Sequence, residues 1–458
     1  MVWHPTGRDS TSDDLVDAVV DAVKQRLVHQ PPPLGHTLTE QELLALMGQS
    51  ITSSGLGGRE ALRRFTEYIA PNVLAIDHPL YLAYVPVAPT QAAVLADCLV
   101  STWNIYGGTY ADGSGAVHAE NEALRWLTDL GGLPAGSGGV FVSGGTAGNL
   151  SALLTARHRW RRRADGAFDR TRGVVLASIG AHSSVEAAAR VMDVDVIAVP
   201  ADARGRLTRE ALEGAIQRLT AVQRSRVFAV VATAGTTNAG VVDDLEAAAD
   251  AASDLKTWFH IDAAYGGAGL ISPLTTPKFA GFGRCDSFIV DPHKWLFAPF
   301  DCCALLYREP KLAHETHTQH AEYLEVSQIR GEWNPSDFAH HLTRRARGIP
   351  FWFSLVTYGT EAYREAVEAS VQLARETADL VRGSALFDLI LEPDLSVVLL
   401  RRRGWADAEY HAWCSRLLAD SIGYVTPTGW EGKTVARFCF VNPSTTLDDV
   451  RRLLATME

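Results

Sequence analysis

The sequence predicts an α/β protein with a central, mostly parallel sheet, a helical N-terminal arm and a small α+β C-terminal domain. Two observations carry this expectation. Six short apolar runs, at residues 140–142, 174–177, 194–199, 227–232, 258–261 and 287–290, have the near-continuous Val/Ile/Phe character of strands buried on both faces. Between them lie Ala- and Leu-rich stretches such as 208–219 and 242–255, so strand and helix alternate as in a parallel sheet covered by helices.

Residues 1–77 are read as the arm. Between Asp13 and His29, the side chains Val16, Val19, Val20, Val23 and Leu27 recur at helical spacing on one face, and Pro31-Pro32-Pro33 stops the helix. A second helix is expected from Thr39, where Thr39 and Glu42 make a capping box ahead of Leu43 and Leu44. Such a pair has no core of its own and must bury its apolar stripes elsewhere, for instance on a partner subunit. The large domain, 78–345, holds the six strands. Polar residues dominate from His314 to Asp337, including the turn cluster Gly331-Glu332-Trp333-Asn334-Pro335, and a connection of that length points to function. The small domain, 346–458, is expected to contain a helix over 351–382, strands at 395–401 and 435–441, and helices at 406–421 and 447–457.

Composition narrows the function. Hydrophobic residues make up 47% and charged residues 21% of 458, as in a packed globular protein. Lys+Arg number 42 against 53 Asp+Glu, a net charge of −11, which argues against nucleic acid as a partner. The one dense basic run, residues 159–163, is expected to be a solvated helix end. No stretch is long and apolar enough to span a membrane, and the N-terminus lacks the pattern of a secretory signal. Cys98, Cys285, Cys302, Cys303, Cys414 and Cys439 form no C-x-x-C pair. Reduced, buried thiols in a cytoplasmic protein without a bound metal are expected.

Five motifs follow expected strands, at the edge where open α/β sheets gather ligand groups. Ser143-Gly144-Gly145-Thr146-Ala147-Gly148-Asn149 joins a strand to a helix, where glycines admit a ligand and helix-start amides attract a phosphate. His182, in Ala181-His182-Ser183-Ser184-Val185-Glu186, offers an imidazole that can stack on a planar ring. Gly235-Thr236-Thr237 adds hydroxyls. Asp262, in His260-Ile261-Asp262-Ala263-Ala264-Tyr265, needs a cationic partner, which a protonated pyridine nitrogen supplies. Lys294, in Asp291-Pro292-His293-Lys294-Trp295, stands where desolvation is expected to lower its pKa and free its amine for a Schiff base. Each motif alone has an ordinary structural explanation as a turn or cap; together they describe a site for pyridoxal 5′-phosphate.

With these motifs the sequence resembles the group II pyridoxal-phosphate-dependent amino acid decarboxylases, the family of aromatic L-amino acid decarboxylase. The similarity begins at His78-Pro79, with Ala83-Tyr84 and Pro86, and continues through the Glu120 region, the five motifs and Arg344-Arg345. The resemblance implies fold type I, the aspartate aminotransferase-like fold, and a homodimer with active sites at the interface. It implies that Lys294 holds the cofactor as an internal aldimine, that Asp262 pairs with the ring nitrogen, and that Ala264 packs on the ring. His182 stacks on the other face; Gly145, Thr146 and Ala147 bind phosphate; Thr237 contacts cofactor or substrate. His293 assists proton transfer or phosphate binding, and His78, Tyr84 and Pro86 lie near the substrate. A catalytically dead scaffold and a transaminase are the weaker alternatives.

The family also implies a mobile loop, about 314–343 here, carrying a tyrosine that protonates the α-carbon. Counting back from Arg344-Arg345 puts Pro335 at that position, with Tyr323 upstream and His340 and His341 as other donors. Relatives without the tyrosine resemble aldehyde synthases, which couple decarboxylation to oxidative deamination. Asp291 stands where many relatives carry asparagine and is expected to turn away or to be hydrogen-bonded. Val85, Val87 and Tyr106-Gly107-Gly108 also depart from the family pattern and suggest a reshaped pocket. Tyr81, Tyr84, Trp103 and Tyr106 favour an aromatic, hydrophobic or modified amino acid.

Overall fold

The computed structural model describes residues 12–162, 172–320 and 331–458. All six expected strands form: β1 Gly138–Val142, β2 Val174–Ser178, β3 Asp195–Val199, β4 Val227–Thr233, β5 Trp258–Asp262 and β6 Ser287–Val290. A seventh, β7 Cys303–Tyr307, is absent from the sequence reading and lies within the sheet, whose order is β1-β7-β6-β5-β4-β2-β3. Only β7 is antiparallel to its neighbours; β6, β5, β4, β2 and β3 pair in parallel. β1 therefore runs with the parallel strands, and the carboxyl ends of β1, β2, β4, β5 and β6 share one edge.

Alternate residues of each strand feed two cores, as the two-residue period of a strand requires. Phe141, Leu176, Val230, Ile261, Phe288 and Leu306 pack into one. Val142, Val175, Val231, Ile289 and Leu305 pack into the other. The helix Gly145–Arg162 covers the second face closely: a Cβ at Gly148 would lie 2.7 Å from Ile289 Cγ2. The basic run at its end is less solvated than expected. Arg159 bonds Asp286 at 3.1 Å with its guanidinium 5.5 Å above the Trp258 ring.

The small domain is a four-stranded antiparallel sheet built from β8 Phe387–Leu389, β9 Val397–Arg402, β10 Pro427–Trp430 and β11 Lys433–Cys439, in the order β10-β11-β9-β8. The two expected strands are present, and β8 and β10 are additions at the edges. The helix Ile349–Gly383 serves both domains and breaks at Gly359, whose φ of 77° only glycine adopts freely. Its first part packs Phe351 against Trp126 and Phe141; its last part puts Leu373, Ala374 and Val381 into the small-domain core.

A buried ion pair anchors the stretch that leads into this helix. Arg344 bonds Glu120 twice at 2.7 Å and the Gly107 carbonyl at 2.6 Å, while Glu120 also accepts from the Gly348 amide at 2.8 Å. Upstream, Trp333 stacks on Phe338 with ring centroids 3.9 Å apart. Asn334 Oδ1 accepts from the Tyr110 amide, the Ser336 amide donates to the Gly108 carbonyl, and Pro335, Ser336 and Asp337 are buried. The expected loop is thus shorter than 314–343. His314 and His317 belong to the helix Pro310–His317, and the chain is docked again from Trp333 onwards. Gly107 and Gly108 hold this docked stretch through their carbonyls.

In the arm, the helix Ser12–Val28 ends near the expected position, and Thr39 caps the helix Glu40–Met47 with the full reciprocal capping box. Neither Glu40–Met47 nor Gly58–Arg64 buries a residue, and Val16, Val19, Val20, Leu44, Leu46 and Ile51 are exposed. All six cysteines are free, but Cys98 is exposed, against the expectation that every thiol is buried. Among the described residues no helix is long and apolar enough to cross a membrane.

Two histidines, His317 buried and His341 half-buried, make the fold acid-sensitive. His317 Nε2 donates to the Ser151 carbonyl, and His341 Nε2 donates to the Pro335 carbonyl at 3.0 Å. Burial pushes both down from 6.5 to about 4. A folded-state pKa below the unfolded one means stability is complete above about pH 6.5 and is lost as pH falls towards 4, at about 1.4 kcal/mol per pH unit for each group. Melting temperatures should therefore drop between about pH 7 and 5, and the drop should shrink in His317→Gln. Equal drops in both proteins would refute a part for His317.

Candidate active site

The five motifs meet at one cavity of about 230 Å³ at the shared sheet edge. Its wall includes Gly145, Thr146, His182, Thr237, Asp262, Ala264, His293 and Lys294, eight of the site residues expected from the sequence. Ala147 lies in the same helical turn but outside the wall. His78, Tyr84 and Pro86 are also outside it, on the small-domain side. His78 is half-buried, with Nδ1 accepting from the Leu80 amide at 3.1 Å. Pro86 is buried, and Tyr84 is 60% exposed with its ring 6.4 Å from that of Tyr424. Trp103 is 71% exposed and Tyr81 is buried against Tyr424, so these aromatics do not form a pocket wall within one chain.

Lys294 follows β6 in a turn closed by its amide donating to the Asp291 carbonyl at 2.9 Å. Its Nζ lies 2.9 Å from Asp291 Oδ2. This arrangement corrects the expected lowering of its pKa. Burial does act downwards, but the Asp291 carboxylate overrules it and raises the ammonium above its ordinary value. Burial pushes Asp291 up in turn, and the charges of Lys294 and His293 bring it below the usual range. Asp291 is hydrogen-bonded, as anticipated, and it faces the cavity. His293 Nδ1 accepts from the Cys302 amide at 2.8 Å, which leaves its proton on Nε2, 3.5 Å from Asp291 Oδ2. Burial lowers the pKa of this ring.

Asp262 ends β5 and is held by neutral donors: its Oδ1 accepts from the Ala264 amide at 3.1 Å and its Oδ2 from Asn149 Nδ2 at 2.8 Å. His182 caps the helix Ser183–Met192, its Nδ1 accepting from the Ser184 amide. Gly145, Thr146 and Ala147 form the first turn of their helix, where amides have no carbonyl a turn earlier to bond. Gly235, at φ 99°, lets the turn after β4 pass Gly266; a Cβ there would stand 2.9 Å from Gly266 Cα.

The sequence reading missed Arg437 on β11. Its guanidinium donates to the Tyr84, Thr237 and Asn238 carbonyls at 2.6, 2.7 and 3.1 Å. No local pattern signals this, since all its partners are backbone atoms distant in the chain. Pro335 is outside the cavity wall, as are His340 and His341; Tyr323 lies outside the described residues. The only tyrosine in the wall, among the described residues, is Tyr265, whose hydroxyl is bonded to Ser396.

The residues present suit pyridoxal phosphate. An amine and a carboxylate face the same space, first-turn amides lie beside it, and Thr233 Oγ1 in the wall has no hydrogen-bond partner in the protein. The family model described as "Pyridoxal-dependent decarboxylase conserved domain" matches residues 53–403. The chain is 29% identical to an aromatic-L-amino-acid decarboxylase of Bacillus atrophaeus over 96% of its own length and 92% of the relative's. It is 32% identical to an L-2,4-diaminobutyrate decarboxylase of Rhizobium meliloti, over 87% of this chain and 81% of that one. The structure of Oryza sativa TDC with PLP and tryptamine superposes with a TM-score of 0.88 at 25% identity, covering 100% of this chain and 99% of that one. The chain belongs to the pyridoxal-dependent decarboxylase family, and it is a carboxy-lyase that uses pyridoxal 5′-phosphate to decarboxylate an amino acid.

Proposed function

We propose that this enzyme decarboxylates an L-amino acid with an aromatic, hydrophobic or modified side chain, and that Lys294 is the amine that holds its cofactor. The observation that carries this reading is the meeting of Lys294, Asp262, His182 and the helix start at Gly145 around one cavity. When bound, pyridoxal phosphate supplies an aldehyde that condenses with amines and a ring that takes up the electron pair left by a departing carboxylate. The Asp291 carboxylate, 2.9 Å away, holds Lys294 as an ammonium, so Nζ must give up a proton before it condenses. Asp262 balances positive charge on the ring nitrogen. The amides of Gly145, Thr146 and Ala147 bind the phosphate at the positive end of the helix. Ala264 and His182 pack on the ring faces, and Thr237 orients cofactor or substrate. His293 keeps its Nε2 proton beside Asp291 and moves it as Lys294 changes charge. His78, Tyr84 and Pro86 bound the substrate side from across the Arg437 fork.

The enzyme works as a homodimer in the cytoplasm. The arm leaves its apolar stripes uncovered, and Trp103, Leu95, Leu99, Phe300, Val356 and Tyr358 are exposed as well, apolar surface that a partner can cover. A second copy of the chain covers these residues and completes the substrate side of the cavity. Sedimentation should give about twice 49.7 kDa; a stable particle of one chain mass would contradict the dimer.

One observation favours a second outcome, decarboxylation coupled to oxidative deamination. Among the described residues the cavity wall presents no free tyrosine hydroxyl to return a proton to the α-carbon. General acid catalysis by a placed side chain contributes about 10²–10⁴-fold, so its loss lets oxygen compete. That route balances as amino acid, O₂ and water giving aldehyde, CO₂, NH₃ and H₂O₂: the α-carbon is oxidised and oxygen is reduced to peroxide.

Borohydride reduction of the wild type should trap a covalent adduct on Lys294. Lys294→Ala should lose that adduct and on the order of 10³-fold or more of its activity; a reducible adduct surviving in the variant would disprove the assignment. In air, the amine should be the sole organic product, released in step with carbon dioxide. Ammonia and peroxide appearing in proportion to carbon dioxide, and vanishing without oxygen, would instead establish the second outcome.

A further inference from the structure

Behind the cavity wall runs a connected set of polar side chains. Trp258 Nε1 donates to Ser287 Oγ, which lies 2.8 Å from His260 Nδ1. His260 Nε2 lies 2.8 Å from Asn149 Oδ1. Asn149 Nδ2 reaches both Asp262 Oδ2 and Ser184 Oγ at 2.8 Å, and Ser184 Oγ is 2.8 Å from His182 Nδ1. Asn149, Ser184, His260 and Ser287 are all within 1% of complete burial, so water cannot stand in for the bonds among them.

The direction of every bond follows from the ends. A carboxylate only accepts, so the amide nitrogen of Asn149 must face Asp262 and its oxygen must face His260. His260 therefore carries its proton on Nε2. Burial pushes this ring down to about 4, so it is neutral and Nδ1 is bare. The Ser287 hydroxyl fills that acceptor and itself accepts from the Trp258 indole, which can only donate. In the other branch, Asn149 donates to Ser184 Oγ. The Ser184 hydroxyl and amide both aim at His182 Nδ1, which leaves the proton of a neutral His182 on Nε2. Reversing any link would set two donors or two acceptors face to face in a dry site, the costly arrangement for buried polar groups.

We propose that Asn149 is the positioning residue of this site, one amide whose two N–H groups orient Asp262 directly and His182 through Ser184. It touches neither reacting atom. It holds the Asp262 carboxylate aimed into the cavity, and it holds His182 as the tautomer with its proton on Nε2. The inference rests on the proposed pairing of Asp262 with the ring nitrogen.

The test is binding of pyridoxal 5′-phosphate to apoenzyme, followed by visible absorbance and tryptophan quenching across pH, in wild type, Asp262→Ala, Asn149→Ala and Asn149→Asp. Asp262→Ala should bind much more weakly; if it binds as the wild type does, the pairing assigned to Asp262 is wrong and the inference falls with it. With that arm as expected, Asn149→Ala should weaken binding about tenfold or more, the usual effect of removing a hydrogen bond to a charged group. Asn149→Asp has nearly the same shape and supplies a donor only when its new carboxyl is protonated. Its binding should recover towards the wild-type value as pH falls, a response that Asn149→Ala cannot show. Wild-type affinity in Asn149→Ala, or Asn149→Asp binding equally weakly at every pH, would overturn the assignment. Should Asn149→Ala fail to fold, the pH series of Asn149→Asp decides the matter alone.

Discussion

The parallel hydrogen-bond ladder sets where every reactive group stands. Thr233 pairs with Asp262 across β4 and β5, and Asp262 with Ile289 across β5 and β6, so these strands end at nearly one level. Turns leaving that level carry Gly235-Thr236-Thr237, Ala263-Ala264 and Asp291 to Lys294 to the same side. β1 joins them because β7, inserted antiparallel between β1 and β6, restores the common direction. A slip of one residue in any of these strands would turn its side chains to the opposite face and scatter the site.

Much of this architecture was legible because it rests on local pattern. Strands buried on both faces declare themselves as short, mostly apolar runs rich in Val, Ile and Phe, which is why β2, β4 and β6 appear in the sequence almost to the residue. The capping box at Thr39 is equally local. β7 escaped because Cys302-Cys303-Ala304 lacks β-branched residues and leads into Leu305-Leu306, a run that suits helix as well as strand. Gly359 escaped because a single glycine inside a long amphipathic pattern is ordinarily tolerated.

The site divides along the same line. Groups that act at strand ends were readable from position and residue type. Groups that act through other groups were not: Asn149 sat in plain view within the Gly-rich run, but its partners Asp262 and His260 are distant in sequence. The raised pKa of Lys294 was misjudged for a related reason. Burial alone argues for a depressed amine, and only the fold shows a carboxylate within 2.9 Å that reverses the sign. Pro335 was placed by counting along the chain, whereas Asn334, Ser336 and Trp333 dock that turn against Tyr110, Gly108 and Phe338, away from the cavity.

Arg437 joins the two domains mechanically. A guanidinium is a flat, stiff fork, and this one grips three main-chain oxygens: two on the turn after β4 and one on the residue before Val85. Main-chain oxygens cannot swing aside as side chains do, so a shift of β11 drags both segments with it. The breadth of the gap between Tyr84 and Thr237 is accordingly geared to the small sheet. Substitutions in the small-domain core, among Phe438, Val398 and Trp413, are passed to these two segments through this linkage although none of them lines the cavity.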